Sequence, residues 1–171
     1  TDAAQKQSLK DQLAELQAAP YLVDTVTIPA ENPYNSWIRV GAIDFFKDGR
    51  IAFSTWSGDV WVGKFADDKL SKITWHRYAT GIFHGLGLKI VNEQIYVLGR
   101  DQITRLHDLN GDDEADFYEC VNNAMTTSPG GHDFIVGLDA DAQGRFYTSS
   151  GNQGILRLSA PNNVEVLATG L

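Results

Sequence analysis

From residue 36 onward, apolar and polar positions alternate in short segments that are separated by glycine-containing turns. Three stretches repeat one pattern of strand, tight turn, strand, small-residue turn and strand. Ile43, Leu88 and Leu138 occupy equivalent positions in the three stretches, at spacings of 45 and 50 residues. A period near 45 with about four strands per unit is typical of a β-propeller, because each unit forms one blade. The pattern therefore predicts an all-β fold of repeated blades, rather than a sandwich or a barrel.

The repeats account for only part of a ring. Residues 36–171 hold about three units, whereas propellers use roughly four to eight blades. The last four residues, ATGL at 168–171, match ATGI at 79–82, which leads into the second unit. We therefore expect a partial β-propeller over residues 20–171. A missing half of the propeller, a second chain or a symmetry copy would complete the ring.

The first 19 residues have a helical rather than a strand-like pattern. Leu9, Leu13 and Leu16 recur at the spacing of one helix face, and Pro20 ends the pattern. The sequence predicts a short N-terminal helix within residues 1–19, with a terminal arm as the alternative. Beyond it, the alternation of residues 21–28 predicts a strand.

Composition narrows the possible classes of function. Hydrophobic residues make up 43% of the 171 positions, which is enough for a folded core. Fourteen basic and 22 acidic residues give a net charge of −8, which argues against a nucleic-acid partner, because such binding needs a basic face. No apolar stretch is long enough to predict a membrane span. A single cysteine, Cys120, excludes an internal disulfide, a CxxCH haem attachment and a Cys/His zinc cluster.

Most of the acidity lies in one segment. Seven acidic residues and one basic residue between Asp101 and Glu119 give a local charge of −6. Oxygen donors follow the spacing of a calcium-binding loop: Asp108, Asn110, Asp112, Glu114 through its carbonyl, Asp116 and Glu119. Asp113 stands where such loops prefer glycine, although aspartate tolerates a left-handed backbone better than most residues. The spacing predicts a calcium site that stabilises the fold, and the alternative is a solvated acidic turn between blades.

Several motifs resemble one group of bacterial proteins. The segments are 32–39 (NPYNSWIR), 44–49 (DFFKDG), 55–61 (TWSGDVW) and 87–90 (GLKI). They resemble the glucose/sorbosone dehydrogenase-like propeller of large secreted bacterial proteins, many of them described as membrane-bound dehydrogenases with a haem-binding or cytochrome c domain. The resemblance covers residues 20–171 and implies that the chain is the N-terminal half of a six-bladed propeller. It also implies a secreted or periplasmic location and a cytochrome c electron acceptor.

Better-known relatives of this group are quinoprotein sugar dehydrogenases, which use pyrroloquinoline quinone (PQQ). Segments 132–138 (HDFIVGL) and 144–154 (GRFYTSSGNQG) resemble the stretch that carries their catalytic histidine. The resemblance implies that His132 is the base and that Asn152 lies where these proteins commonly have an orienting aspartate. His84 falls close to the sequence position at which these proteins have a glutamine that contacts the cofactor. Arg100 follows a strand and is a candidate to reach an anionic cofactor, with a solvated surface position as the alternative.

Two classes of function stay open. In the first, the chain is part of a PQQ-type dehydrogenase, in which a sugar or alcohol gives a hydride to the quinone while His132 takes the hydroxyl proton. In the second, a non-catalytic, calcium-stabilised propeller binds a glycan or a protein partner. The amide of Asn152 favours the second class, because it cannot stabilise an imidazolium as a carboxylate does. Four tryptophans are candidates for stacking on a sugar, namely Trp37, Trp56, Trp61 and Trp75, although Trp56 and Trp61 fit packing between blades better.

Overall fold

Three antiparallel sheets follow one another along the chain, and each contains four consecutive strands. The computed structural model describes residues 6–8, 10–12, 14, 21, 24–67, 72–127 and 134–170. The strands are β1 (Val40–Phe45), β2 (Ile51–Thr55), β3 (Val60–Phe65), β4 (Ile73–Ala79), β5 (Gly87–Val91), β6 (Gln94–Leu98), β7 (Ile103–His107), β8 (Phe117–Asn122), β9 (Ile135–Ala140), β10 (Phe146–Ser150), β11 (Gly154–Ser159) and β12 (Asn163–Ala168). We call β1–β4 blade 1, β5–β8 blade 2 and β9–β12 blade 3.

The first strand of each blade lies on the inside of an arc. β1 contacts β5, and β5 contacts β9, whereas each later strand in a blade pairs with the strand before it. Short turns join the strands, because two-residue and glycine-containing connections suit antiparallel neighbours. Successive meanders around a common inner arc form a partial β-propeller, so the predicted fold class is confirmed.

Apolar side chains fill the two spaces between adjacent blades. Val62 of blade 1 and Leu88 and Val97 of blade 2 belong to the first cluster. Ile103 of blade 2 and Phe146 of blade 3 belong to the second. Alternate residues of each strand point to opposite faces of its sheet, so one strand contributes to the clusters on both sides. In blade 1, β2 is buried along its whole length for a different reason, because Ala52 faces the first cluster and Phe53, on the other face, packs against Trp75.

The N-terminal region confirms one prediction and corrects another. Residues 6–8, 10–12 and 14 are helical, which agrees with the predicted N-terminal helix, although Leu9, Leu13 and Leu16 lie outside the described residues. The strand predicted at residues 21–28 is wrong, because residues 24–29 have no regular secondary structure. Backbone atoms of this segment bond to side chains instead of a neighbouring strand, as when the Trp75 indole donates to the Thr27 carbonyl at 2.8 Å.

Residues 24–38, which we call the strap, lie along blade 1. The Tyr34 ring meets the buried Trp61 ring edge-on at 5.9 Å, and the Arg77 guanidinium lies 3.5 Å from the Tyr34 ring centre. The carboxylate of Asp59, only 3% exposed, accepts hydrogen bonds from the hydroxyls of Ser36 and Thr80. These contacts fix the strap on the face of blade 1 that points away from blade 2.

Candidate functional site

Strand direction brings several predicted site residues to one end of the arc. In an antiparallel four-stranded blade, the turn between the second and third strands shares an end with the connection to the next blade. Trp56, His84, Arg100 and Asn152 all lie in such segments. Backbone contacts join these segments, as Arg100 donates its N–H to the Phe83 carbonyl at 2.7 Å. We call this the loop end.

An aromatic cluster surrounds His84. Its ring stacks on Trp56, with centroids 4.3 Å apart and planes 23° apart. Phe134 meets Trp56 edge-on at 5.1 Å, and Phe83 lies 4.7 Å from the His84 ring. His84 Nδ1 is buried, and no group of the described residues forms a hydrogen bond with it. The cluster therefore groups four aromatic rings around one buried ring nitrogen.

The backbone at His84 is in an unusual conformation. Its φ of +51° lies in the left-handed region, which costs a non-glycine residue about 1–3 kcal/mol. Neighbouring small residues hold the chain there, because Gly85 donates its N–H to the Thr55 carbonyl at 3.2 Å. A Cβ on Gly41 would lie 2.1 Å from the Gly85 carbonyl oxygen, so this approach needs glycine. Such backbone strain is found most often at binding and catalytic sites.

Two guanidinium groups border the cluster. The Arg39 guanidinium lies 4.8 Å from the Trp37 ring centre and 5.5 Å from that of Trp56. The Arg100 guanidinium lies 4.9 Å from the Phe134 ring centre. A flat aromatic surface between two fixed cations suits a planar ligand that carries negative charge.

The predicted site residues are only partly brought together. His84 and Arg100 share Phe134 as a neighbour. Asn152 lies exposed in the turn before β11, at the same end of blade 3. His132 lies outside the described residues, two positions before Phe134. Sequence reasoning did not single out Arg39, Phe83 or Phe134, although an aromatic residue adjoins His84 and another follows His132 closely, which is the signal that was available.

The predicted calcium loop lies at the opposite end, between β7 and β8, and its side chains bind its own backbone. The Asp108 carboxylate accepts N–H bonds from Gly111 at 2.6 Å and Asp113 at 3.0 Å, which lowers its pKa. The Asn110 amide donates to Asp112 and Asp116. Asp113 has a φ of +66°, the left-handed conformation that position requires.

Two of the predicted calcium ligands, Glu114 and Glu119, do not bind the loop backbone through their carboxylates as Asp108 does. Glu114 joins this network through its backbone N–H, which donates to Asp112. Glu119 lies on β8, and its carboxylate contacts His107 at 2.7 Å and Arg105 at 3.7 Å. Within the described residues, no three His, Cys, Asp or Glu side chains are grouped so that they could hold a metal ion.

The acidic loop also contacts blade 1. Ala115 donates its N–H to the Tyr78 carbonyl at 2.7 Å, and the Tyr118 hydroxyl bonds to the backbone of Thr80. Burial, and then the carboxylates of Asp108 and Asp113, raise the pKa of Tyr78 to about 12. The loop therefore joins the outer strands of two blades, so its order affects how those blades pack.

Comparison with known proteins supports the fold. No protein-family model matches the chain, and no curated protein matches it. Among solved structures it is similar to a proposed oxidoreductase (glucose dehydrogenase) from Thermus thermophilus, with a TM-score of 0.56 and 18% identity. That match covers 71% of this chain and 45% of that chain, so this chain spans less than half of its length.

A second solved structure, a virginiamycin B lyase from Staphylococcus aureus, has a TM-score of 0.49 and 12% identity, over 74% of this chain and 40% of that chain. This TM-score is too low to carry an argument. The first similarity shows that the chain shares part of the fold of the Thermus thermophilus protein. No helix in the described part of the chain is long and apolar enough to cross a membrane.

Proposed function

We propose that this chain forms part of a propeller that oxidises a sugar or an alcohol with a bound quinone of the PQQ type. The observation that carries the proposal is the stack of His84 on Trp56 at the loop end, bordered by Arg39 and Arg100. The fold shared with the Thermus thermophilus protein, itself described as a glucose dehydrogenase, supports it. The resemblance of the sequence motifs supports it independently.

The residues at the loop end fit such a cofactor. PQQ is planar and carries carboxylates, so it needs an aromatic surface and cations. Trp56 and His84 supply the surface, and Arg39 and Arg100 supply the charge. No group of the described residues bonds the buried Nδ1 of His84, and a ligand oxygen that reaches it would supply that hydrogen bond. When bound, the quinone supplies a hydride acceptor.

In this proposal, His132 holds and moves the proton. Its neutral imidazole would take the proton of the substrate hydroxyl, and the carbon that bears this hydroxyl would give its hydride to the bound quinone, so that the substrate becomes a carbonyl compound. General-base catalysis of this kind is worth about 10²–10⁴-fold in rate. Asn152 can orient the imidazole through its carbonyl oxygen but cannot offset the imidazolium charge, so we expect slower turnover than a carboxylate would give.

The remaining expectations belong to the same proposal. Electrons would leave to a cytochrome c, and the protein would act in the periplasm or outside the cell. The resemblance to secreted bacterial dehydrogenases supports both expectations. Calcium would bind Asp108, Asn110, Asp112 and Asp116 after their oxygens turn away from the loop backbone. The spacing of these residues and the left-handed Asp113 support that site.

Binding and catalysis are tested separately. PQQ should quench the tryptophan fluorescence of the chain, because Trp56 lies in the site. His84→Ala and Arg100→Ala should each weaken binding about tenfold, in line with the loss of one stacking or charged contact. His76→Gln, on β4, is the matched control and should bind normally. Unchanged quenching in both site variants would refute the cofactor site.

Activity is then measured as dye reduction by the PQQ-loaded chain over a panel of sugars and alcohols. His132→Ala should lose activity by at least the general-base factor of about 10²-fold while still binding PQQ. Activity that His132→Ala leaves untouched would refute the role of this histidine.

A second function has its own support. Asn152 replaces the expected carboxylate, and Trp37 is 69% exposed beside Arg39 at the same end. A non-catalytic propeller that binds a glycan or a protein partner would show both features. Saturable sugar binding by calorimetry, weakened by Trp37→Ala and without dye reduction, would favour this function over oxidation.

A further inference from the structure

One face of blade 3 carries a row of polar side chains that crosses all four strands. Asp139 pairs with Tyr147, Tyr147 with Arg157, and Arg157 with Glu165. The Asp139 side chain is 74% exposed. Asp139 and Tyr147 also line an open cleft of about 500 Å³, which extends along the inner strands of all three blades. We call these four residues the blade 3 row.

The equivalent row in blade 2 lies in an interface between blades. Its members are, in the same cross-strand order, Lys89, Tyr96, Arg105 and Glu119. There the Tyr96 ring packs 4.9 Å from the Phe146 ring of blade 3, and Lys89 Nζ lies 3.1 Å from Asp139 Oδ1. Tyrosine, arginine and glutamate recur at the same places in both rows. The blade 3 row therefore has the side chains of a surface on which a further blade packs.

The charge of the innermost residue of the row alternates between negative and positive from blade to blade. Asp44, Lys89 and Asp139 occupy the same register on β1, β5 and β9. Lys89 Nζ lies 3.6 Å from Asp44 Oδ2 and 3.1 Å from Asp139 Oδ1, so one cation serves two carboxylates. The next strand along the arc fits best if it brings a second cation to Asp139.

A second copy of this chain does not meet that requirement. Its first blade would bring Asp44 into the register of Asp139, and two facing carboxylates repel each other. Its strap also covers the face that would dock, since Tyr34 packs on Trp61 there. Both observations disfavour a ring that closes through two identical chains.

We propose that the blade 3 row docks a further β-sheet blade of different sequence, whose innermost strand carries a lysine or arginine opposite Asp139. The second strand of that blade begins with a large apolar residue that packs on Tyr147, as Phe146 packs on Tyr96. This inference does not depend on the proposed catalytic function, because it uses neither His84 nor His132.

The chain itself gives the first test. Light scattering over a wide range of concentrations should show a monomer. A concentration-dependent dimer that protects the amides of β10 and β11 from hydrogen exchange would overturn the exclusion of a second copy.

The second test supplies a probe blade from the chain's own sequence. Residues 168–171 match 79–82, so residues 83–122 can be appended after residue 171 in the natural spacing. This extension brings Lys89 opposite Asp139 and Ile95 opposite Tyr147. Hydrogen exchange of β9–β11 in blade 3 should slow about tenfold or more relative to the unextended chain, because these strands become an interior sheet.

Matched substitutions in the appended copy decide whether charge directs the docking. Lys89→Met should reduce the protection of β9–β11 from hydrogen exchange, and Lys89→Asp should abolish it. The difference in protection between the Lys-bearing and the Asp-bearing extension should shrink in high salt. Ile95→Ala should reduce it through lost packing. Absence of protection by the Lys-bearing extension, or equal protection by Lys and Asp at low salt, would overturn the proposal.

Discussion

Asp59 is the buried charge that ties the strap to blade 1. It accepts hydrogen bonds from the hydroxyls of Ser36 and Thr80, and Arg77 Nη1 lies 3.9 Å away. Its backbone N–H donates to the Thr55 hydroxyl at 2.9 Å, which fixes the residue at the start of β3. A single side chain thus joins three segments that are distant in sequence.

We expect Asp59→Ala to lower the free energy of unfolding by about 2–4 kcal/mol, because it leaves two hydroxyls without their acceptor and the half-buried Arg77 guanidinium without its partner. Urea unfolding measures the loss. Proteolysis should also reach residues 24–38 sooner than in the unchanged chain. Asp24→Asn, an exposed carboxylate in the strap, is the control and should change stability by less than about 0.5 kcal/mol. Equal stability of Asp59→Ala and the control would contradict this role.

At the scale of residues, the sequence revealed some members of the candidate site but not the contacts between them. His84 was found through the sequence resemblance and its place before a predicted strand, and Arg100 because it follows a strand. Their contacts with Trp56 and Phe134 were not predicted, since those contacts depend on how separate loops converge. No local pattern encodes a distance between residues 28 or more positions apart. His132 and Asn152 stay predictions, because no contact described here tests their roles.

At the scale of elements, two turns rely on glycine for close approach. Gly58 has a φ of +98°, and a Cβ added to it would lie 2.1 Å from the Ile82 carbonyl oxygen. Gly154, at the equivalent turn of blade 3, would place a Cβ 1.9 Å from the Ala168 carbonyl oxygen. These turns press against the strand or connection that follows, so they position the loop end.

Gly58→Ala should therefore destabilise the protein by about 3 kcal/mol or more, through backbone strain and a clash that the Ile82 carbonyl cannot avoid. Thermal unfolding measures the effect. Gly144→Ala is a matched control, because Gly144 also has a positive φ, +76°, but no atom lies within 4 Å of its added Cβ. We expect it to cost only about 1 kcal/mol. Similar losses in both variants would show that close approach is not the cause.

The acidic loop gives a prediction about calcium. Extracellular calcium loops bind at roughly 10⁻⁴ to 10⁻³ M, and calcium at about 100 times the dissociation constant would add about 2.7 kcal/mol of stability. Melting curves in excess calcium should therefore lie above those in EDTA. Asp112→Ala should remove the difference, whereas Asp48→Ala, in a turn of blade 1, should keep it. Identical curves with calcium and EDTA in the unchanged chain would contradict the site.

Periodicity predicted some elements well and one badly. The strands of the three blades were predictable because alternation and turn residues are local signals. The alternation at 21–28 gave the same signal, but residues 24–28 lie against the face of blade 1 rather than beside the edge of a strand. Trp75 takes the Thr27 carbonyl that a strand would have used. Whether such a segment becomes a strand depends on which other segment lies beside it, and the local sequence does not contain that information.

At the scale of the whole molecule, the repeat spacing predicted three blades but not the electrostatics between them. Lys89 of the middle blade contacts a carboxylate on each side, Asp44 and Asp139. All three side chains are partly or largely exposed, so solvent screens the pairs and each contributes modestly. Their common register nevertheless joins the inner strands of all three blades.

We expect Lys89→Met to lower the free energy of unfolding at neutral pH by about 0.5–1 kcal/mol, because two carboxylates lose their shared cation. The backbone N–H of Ala140, and then Lys89, lower the pKa of Asp139, so that contribution is present above the unfolded value of about 3.9 and is lost as the pH falls through the folded value. The hydrogen bond to Asp139 raises the pKa of Lys89, so its contribution is present below about 10.4 and is lost as the pH rises through the folded value.

The difference in stability between the unchanged chain and Lys89→Met should therefore be largest from about pH 5 to 9 and shrink at both extremes. Urea unfolding across this range measures it. Lys47→Met, at an exposed lysine in a turn, is the control and should stay close to the unchanged chain at every pH. A difference that persists undiminished as the pH falls through the folded pKa of Asp139 would mean that Lys89 stabilises the arc by packing its aliphatic stem rather than by its charge.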